Sequence, residues 1–596
     1  MKNIKKIFSN NIFILSFLFK YIPVYVLMTI ILFIAKGLLQ SLSNVWLVEK
    51  VIDGIMHNTS YVSIITPVLI FSSYALVVGL FNAIFLEISE KIYKQKFSDK
   101  MRMLLYEKAI KCDISCYDNT EFYNNFIWSA NEIDNRAFSV FQSLAMFIQR
   151  ITVISSTLII LTKINIWILL VVLFSCIVNF YFTIKQNKVQ FKLTEKLNVL
   201  SCRKNYVNRT FILPDYAKEL RTSKISDILY SMFFKTNNNM KAEIKYHSTK
   251  IWKYDLLKKI IGEDIVVTFA SVVVLSWQVL VKTISVGSFM ASYNGIQMIY
   301  SSLSFLLERA SSFAESSLYI DKFKSFWFYK PSIEISVNAL PPSTTKSIQF
   351  QNVDFTYGKQ EYVLKNISLY FSKPQKIAIV GSNGAGKTTL IKLLLRLYDP
   401  NKGSIFHNHI DIKNLNIELY KKQFSCLFQD FNLYSCTLGE NIAMDTTDTF
   451  DTDKLNFSIS NSGFASKFIS LDNGINTILT KEFDDKGLIL SGGEKQKLAI
   501  ARLIYKDADC YILDEPTAAL DPIAEVEFNR SIMTYSENKL LIIISHRLTV
   551  TRFVDKIIVI DNGEIIESGT HDELMERGGK YSKLYSLQAS QYNQIR

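Results

Sequence analysis

At 596 residues the chain is too long for one hydrophobic core, so two or more domains are expected. Apolar residues make up 49% of it and the mean hydropathy is +0.16, yet 20% of residues are charged. That mixture excludes a uniformly soluble chain and points to one part written for lipid and another for water. A net charge of +13 fits either nucleic acid or the basic loops of a membrane protein. Seven cysteines (Cys112, Cys116, Cys176, Cys202, Cys426, Cys436, Cys510) show neither a disulfide framework nor the His and Cys partners of a zinc site, and all are read as reduced.

Six apolar stretches in the first half are long enough to cross a bilayer, which needs about 20 residues each. They lie near 21–45, 61–87, 140–162, 164–185, 260–281 and 286–309. The first follows a basic start (Lys2, Lys5, Lys6) but is too long for a signal peptide and has no small-residue cleavage site, so it reads as a retained helix. Lys91, Lys94, Lys96, Lys100, Arg102, Lys108, Lys111 and Arg136 lie between the second and third stretches. A second basic run extends from Lys188 to Lys253, between the fourth and fifth. The other connections hold one lysine each: Lys50, Lys163 and Lys282. By the positive-inside rule both long loops and both termini face the cytoplasm, which accounts for most of the excess charge without nucleic acid as a partner. Loops of roughly 50 and 70 residues on that side imply helices that continue beyond the lipid.

Apolar density falls near Pro331, Pro341 and Pro342. The expected organisation is therefore a membrane domain over 1–325, a linker over 326–346 and a soluble α/β domain over 347–596.

In that last domain the apolar strand Lys376–Val380 runs into Gly381, Ser382, Asn383, Gly384, Ala385, Gly386, Lys387, Thr388 and Thr389, then into a helix expected near Leu390. This is G-x-x-x-x-G-K-T in strand–loop–helix context. Its glycines turn backbone N–H groups toward phosphate oxygens, Lys387 supplies a point charge, and Thr388 offers a hydroxyl to Mg²⁺. A second strand, Cys510–Leu513, delivers Asp514, placed to hold Mg²⁺ through water, and Glu515, placed to polarise an attacking water. A third, Leu540–Ile544, delivers His546, which at a strand end can sense the terminal phosphate. Leu490, Ser491, Gly492, Gly493 and Glu494 open a further helix and make a second anion site. One nucleotide does not need two such sites; the second is expected to meet the nucleotide of a partner subunit.

On these residues the second half resembles the nucleotide-binding domain of an ATP-binding cassette (ABC) transporter, and the whole chain resembles an exporter half-molecule. The resemblance implies an all-α six-helix transmembrane domain followed by an α/β P-loop NTPase domain, with ATP and Mg²⁺ as cofactors. It makes Gly381–Thr389 the Walker A loop, Asp514 the Walker B aspartate, Glu515 the catalytic glutamate, Leu490–Gly493 the signature and His546 the switch histidine. It also implies that Tyr357 stacks on adenine, that Gln429 links Mg²⁺ to the membrane domain, and that Asp521 faces the partner's site. Tyr117–Asn119 and Tyr216–Leu220 resemble the two cytoplasmic coupling helices. Departures are Ala518, where serine is usual, and Phe483–Gly487, which replaces Gly-Glu-Arg-Gly.

The intact hydrolytic set favours a homodimer over a heterodimer, in a bacterial cell membrane. Leu427–Phe431 and Asp514–Glu525 resemble peptidase-free peptide exporters, including those for lantibiotics. The chain begins about twenty residues before the first helix, so no N-terminal peptidase domain is expected. A peptide is the expected cargo, with a multidrug or lipid exporter as the alternative. A soluble cassette protein of DNA repair or translation is disfavoured by the six apolar stretches. Glu263 and Asp264, near the inner end of the fifth stretch, are candidates for lining the substrate cavity, and Ser301, Ser302 and Ser304 make the sixth unusually polar.

Overall fold

The computed structural model describes residues 2–164, 168–331, 333, 339–358, 361–446, 449–517 and 522–593. Two compact units emerge: residues 1–112 with 119–329, and residues 113–118 with 330–596.

The first unit is helical. It opens with α1 (Lys2–Tyr21), then α2 (Pro23–Ser41), α3 (Val48–Met56), α4 (Tyr61–Ile84) and α5 (Glu90–Ile110). After these come α6 (Thr120–Ile164), α7 (Ile168–Ile212), α8 (Ile225–Leu257), α9 (Ser271–Leu280) and α10 (Val286–Trp327). Wide helical turns, in which bonds skip five residues, join α2 to α3 (Leu42–Leu47), α4 to α5 (Phe85–Ser89) and α8 to α9 (Lys258–Ala270). At 45, 45 and 42 residues, α6, α7 and α10 are each over about 60 Å long, twice a bilayer's hydrocarbon core.

Among the described residues, four helical runs are long and apolar enough to cross a membrane: Pro23–Met56, Tyr61–Ile110, Ile133–Thr162 and Ile225–Leu280. The six-stretch expectation is thus met in four places. The stretch 164–185 begins across residues 165–167, which lie outside the described residues. The stretch 286–309 falls within α10, where polar side chains lower the hydropathy. There Ser302 is fully buried and Ser304 accepts a hydrogen bond from Asn179 of α7, so the polar groups are spent on helix packing.

The second unit is built on two sheets. Strands β1 (Ser347–Phe355), β2 (Leu364–Ser372), β4 (Lys402–His407) and β5 (Ile410–Asp411) form an antiparallel sheet in the order β2-β1-β4-β5. The larger sheet runs β10-β9-β3-β8-β7-β6, with β3 (Gln375–Gly381), β6 (Phe424–Leu427), β7 (Cys510–Asp514), β8 (Leu540–Ile544), β9 (Lys556–Asp561) and β10 (Glu564–Gly569). All its pairings are parallel except β9 with β10. Every residue of β7 and β8 is buried, which explains their unbroken apolar sequences: a parallel strand covered on both faces has no solvent side to alternate with. Phe350, Phe371, Ile377, Ile379, Leu390 and Leu394 share the core between the sheets. The segment 113–118 belongs to this unit, where Asp118 accepts from the Tyr398 hydroxyl at 2.6 Å.

Candidate functional site

The parallel strands β9, β3, β8, β7 and β6 all end at one crest, and the sequence motifs sit on their ends. β3 leads into the glycine loop. At Gly381 a Cβ would stand 2.1 Å from the Ile560 carbonyl oxygen of β9, so only glycine lets the two strands close there. Gly386 adopts φ +101° as the N-cap of α11 (Lys387–Leu394), and a Cβ there would meet the Leu364 side chain at 2.6 Å. The helix thus begins at Lys387, three residues before the expected start, and Lys387, Thr388 and Thr389 form its first turn. Gly381→Ala is expected to lower stability by about 1–3 kcal/mol through overpacking, read as a drop in the thermal midpoint of the purified protein. An unchanged melt would show that β3 and β9 tolerate separation.

Lys387 is 6% exposed, and its Nζ donates to the carbonyls of Gly381 (3.0 Å) and Ser382 (2.9 Å). Burial pushes its pKa down, while Glu515 and Asp514 pull it back up. The Thr388 hydroxyl donates to Asp514 Oδ2 at 3.0 Å. Burial raises the Asp514 pKa, and the bond from Thr388 opposes that rise. The other carboxylate oxygen of Asp514 is buried with no hydrogen-bond partner. Such an orphaned oxygen beside a threonine hydroxyl suits a hard divalent cation that completes its shell with phosphate oxygens and water. No group of three or more His, Cys, Asp or Glu among the described residues could hold a metal by itself.

Three side chains from adjacent strand ends then meet. Glu515, after β7, is held at φ +50°, a left-handed conformation unusual for glutamate, with its N–H bonded to the Ile544 carbonyl at 2.9 Å. Its Oε1 lies 2.8 Å from His546 Nε2, after β8, and its Oε2 accepts from Gln429 Nε2, after β6, at 2.9 Å. A cleft of about 650 Å³ is lined by Asn383, Gly384, Ala385, Gly386, Lys387, Thr388, Thr389, Gln429, Glu515 and His546 together with Val363.

Other sequence candidates lie elsewhere. Tyr357 sits beside the cleft, its hydroxyl 3.2 Å from that of Thr389 and its ring packed edge-on against Tyr398. Ser491 caps α12 (Gly492–Lys506): its hydroxyl accepts from the Glu494 N–H at 3.3 Å, and Glu494 Oε2 accepts from the Ser491 N–H at 2.8 Å. That backbone bond is the main reason the Glu494 pKa is lowered. Leu490 is buried, Ser491 and Gly492 are exposed, and Gly493 is half-buried; none of them lines the cleft. Asp521 lies outside the described residues. Glu263 and Asp264 belong to the wide-turn segment Lys258–Ala270, the first half-buried and the second exposed. Within that segment Lys258 pairs with Glu308 of α10 at 2.6 Å.

Two contributors carried no readable signal. Val363 enters the cleft from the loop before β2, and Gln588 donates to the His546 carbonyl at 2.6 Å from over forty residues downstream. Neither belongs to a spacing motif, because only tertiary structure brings them to the crest.

Helices of membrane length joined to a nucleotide cleft of this build define a membrane protein powered by a P-loop ATPase. The ABC transporter family profile matches residues 364–518. The subtilin transport ATP-binding protein SpaT of Bacillus subtilis is 30% identical over 562 residues, covering 92% of this chain and 89% of that protein. The nisin transport ATP-binding protein NisT of Lactococcus lactis subsp. lactis is 27% identical over 500 residues, or 83% and 82% of the two chains. The ATP-dependent lipid A-core flippase of Escherichia coli (strain K12) is 33% identical over 249 residues, 41% of this chain and 42% of that protein. Among solved structures, a bacterial Atm1-family ABC exporter with ATP bound superposes with a TM-score of 0.76 at 20% identity, over 96% of this chain and 98% of that one. The chain belongs to the ABC transporter family. It is a multi-pass membrane exporter of that family, and its ATP-binding domain couples ATP hydrolysis to transport.

Proposed function

We propose that this chain pairs with a second copy of itself in a bacterial cell membrane and exports a peptide. In this reading six helices per copy cross the bilayer, the four apolar runs plus the membrane portions of α7 and α10, with both termini and the ATP-binding domain in the cytoplasm. The reading rests on one observation above the rest. Resemblance to the subtilin transporter spans 92% of the chain and so includes the membrane half, where cargo would be handled. The lipid A-core flippases, which support the alternative of a lipid exporter, match over 41–42% of the chain.

ATP would lie along the cleft with its phosphates on the backbone of Ser382–Thr389 and the Lys387 ammonium. Tyr357, beside α11, is the candidate for the adenine, and Asp521 for the contact across the pair. Mg²⁺, held through Thr388, Asp514 and Gln429, neutralises phosphate charge when bound. Glu515 accepts a proton from the attacking water, and His546 orients the glutamate and contacts the terminal phosphate. Ser491 with the N–H groups of Gly492 and Gly493, at the start of α12, reaches the nucleotide held by the partner copy. Closure of that pair would turn the membrane cavity outward, with Glu263 and Asp264 as candidate cargo contacts for a basic peptide. The test is uptake into inverted membrane vesicles given ATP and Mg²⁺. Amphipathic peptides should accumulate while hydrophobic cations and lipid analogues do not, and accumulation of lipid alone would replace this reading with the flippase one.

A further inference from the structure

The loop that carries His546 is held by a side chain from far along the chain. Beyond β8 the backbone passes through Ser545, His546 and Arg547 into a tight helical turn over Leu548–Phe553. The Ser545 hydroxyl accepts from the Arg547 N–H at 3.0 Å. The His546 carbonyl and the Leu548 N–H are then both met by Gln588. Its Nε2 donates to the carbonyl at 2.6 Å, and its Oε1 accepts from the Leu548 N–H at 3.0 Å. A primary amide carries donor and acceptor on sister atoms, so this pair of bonds sets the tilt of the loop as well as its distance. The imidazole of the same His546 stands 2.8 Å from Glu515.

Gln588 comes from α13 (Lys580–Asn593), and α13 is anchored before it reaches the loop. Glu567 of β10 accepts from the N–H groups of Lys580 (2.6 Å) and Tyr581 (3.0 Å), satisfying two donors that a helix start leaves open. Tyr581 is fully buried, and its hydroxyl lies 2.7 Å from both Thr551 Oγ1 and His571 Nδ1. Lys580 pairs with Asp561 at 2.6 Å, and Asp561 Oδ1 accepts from the Ser382 hydroxyl of the glycine loop at 3.3 Å. These contacts dock the first turn. Two turns after Tyr581 the same face of α13 presents Gln588. Packing does not call for an amide there: Leu587 beside it is 65% exposed, Gln588 is half-buried, and both its polar atoms are spent on residues 546–548.

We infer that Gln588 is a positioning residue for ATP hydrolysis, clamping the His546 loop at the setting in which Nε2 meets Glu515. Gln588 does not line the cleft and acts only through His546, so the inference rests on the hydrolytic role proposed for that histidine. Nucleotide is held by other residues. Loss of the clamp should therefore slow turnover and spare binding.

Phosphate release by the full chain in proteoliposomes, with ATP varied at saturating Mg²⁺, is the measurement. Gln588→Ala should lower kcat by about tenfold and leave KM for ATP within about twofold, because a small misplacement of a catalytic group costs up to about a hundredfold. Gln588→Glu is the diagnostic variant. Ionised, it offers the His546 carbonyl no proton and should be as slow as the alanine variant. Protonated, it has an O–H and a carbonyl oxygen and restores both bonds. An ordinary glutamate titrates near about pH 4.3, and a facing carbonyl raises that value. Turnover of Gln588→Glu relative to wild type should thus climb as pH falls from about 8 to about 5.5, while the Gln588→Ala ratio stays flat. The charged neighbours, Arg547 paired with Glu525 and Arg552 over the Tyr585 ring, are common to all three proteins and cancel in the ratio. A flat Gln588→Glu ratio, wild-type turnover in Gln588→Ala, or a loss carried by KM overturns the assignment. If Gln588→Ala melts early, the pH response of Gln588→Glu decides. Adding Gln588→Ala to His546→Ala should slow the enzyme no further. Losses that multiply overturn the clamp and leave the role of His546 standing, whereas wild-type turnover in His546→Ala removes that role and the clamp with it.

Discussion

Glu515→Gln is expected to cut ATP turnover by about a thousandfold while leaving ATP affinity within a few-fold of wild type. The amide keeps the size and planarity of the carboxylate, so it can still accept the bond from Gln429 at Glu515 Oε2. What it cannot do is take a proton from water. Glu515 is also the point where three strand ends converge, with His546 2.8 Å from Oε1, so a larger change there would disturb the crest as well as the chemistry. Phosphate release under saturating ATP and Mg²⁺ gives the rate, and equilibrium binding of labelled ATP gives the affinity. A rate within tenfold of wild type would move the catalytic base to another residue. Unchanged rate with unchanged affinity would remove Glu515 from the site altogether.

How far the site could be read from sequence follows from which constraints are local. The loop Gly381–Thr389 was legible because each residue answers to its own neighbourhood: a strand to enter, glycines where β9 and Leu364 press close, a helix to leave by. The three-residue error at the helix start came from treating Lys387–Thr389 as loop, when the left-handed Gly386 already caps the helix before them. The S-x-x-E pattern of Ser491 and Glu494 was equally local, and the capping box is present. Val363, which lines the cleft, and Gln588, which bonds the His546 carbonyl, were not legible, since both are brought there through the fold alone. In the membrane unit, hydropathy found four of the apolar helical runs and underweighted α10, where Ser302 is buried and Ser304 accepts a hydrogen bond from Asn179 of α7. The wide turn over Lys258–Ala270 had no motif to announce it in the sequence either. The association of residues 113–118 with the second unit is likewise tertiary: the sequence marks Tyr117–Asn119 only by its resemblance to a coupling helix and does not name Tyr398 as the partner of Asp118.

Lys387→Ala separates binding from chemistry in the opposite direction. This ammonium donates to the Gly381 and Ser382 carbonyls, and burial makes its charge costly to hold. Removing it should therefore leave folding stability nearly unchanged, because a poorly solvated charge and the bonds that ease it disappear together. Nucleotide is different. Charge-assisted bonds contribute about 1.5–3 kcal/mol each, so losing those to the outer phosphates should weaken ATP binding by about a hundredfold or more. Lys387→Arg is expected to fail nearly as badly, since a rigid planar fork does not fit where a slender stem now threads between two carbonyls. Placing each change in the Glu515→Gln background stops hydrolysis and makes the affinity directly measurable. The double variants should lose labelled ATP while melting at the temperature of the single one. Undiminished ATP binding would mean the phosphates do not rest on this loop, and a collapsed melting temperature would mean Lys387 is structural, so the two measurements together decide what its buried charge is for.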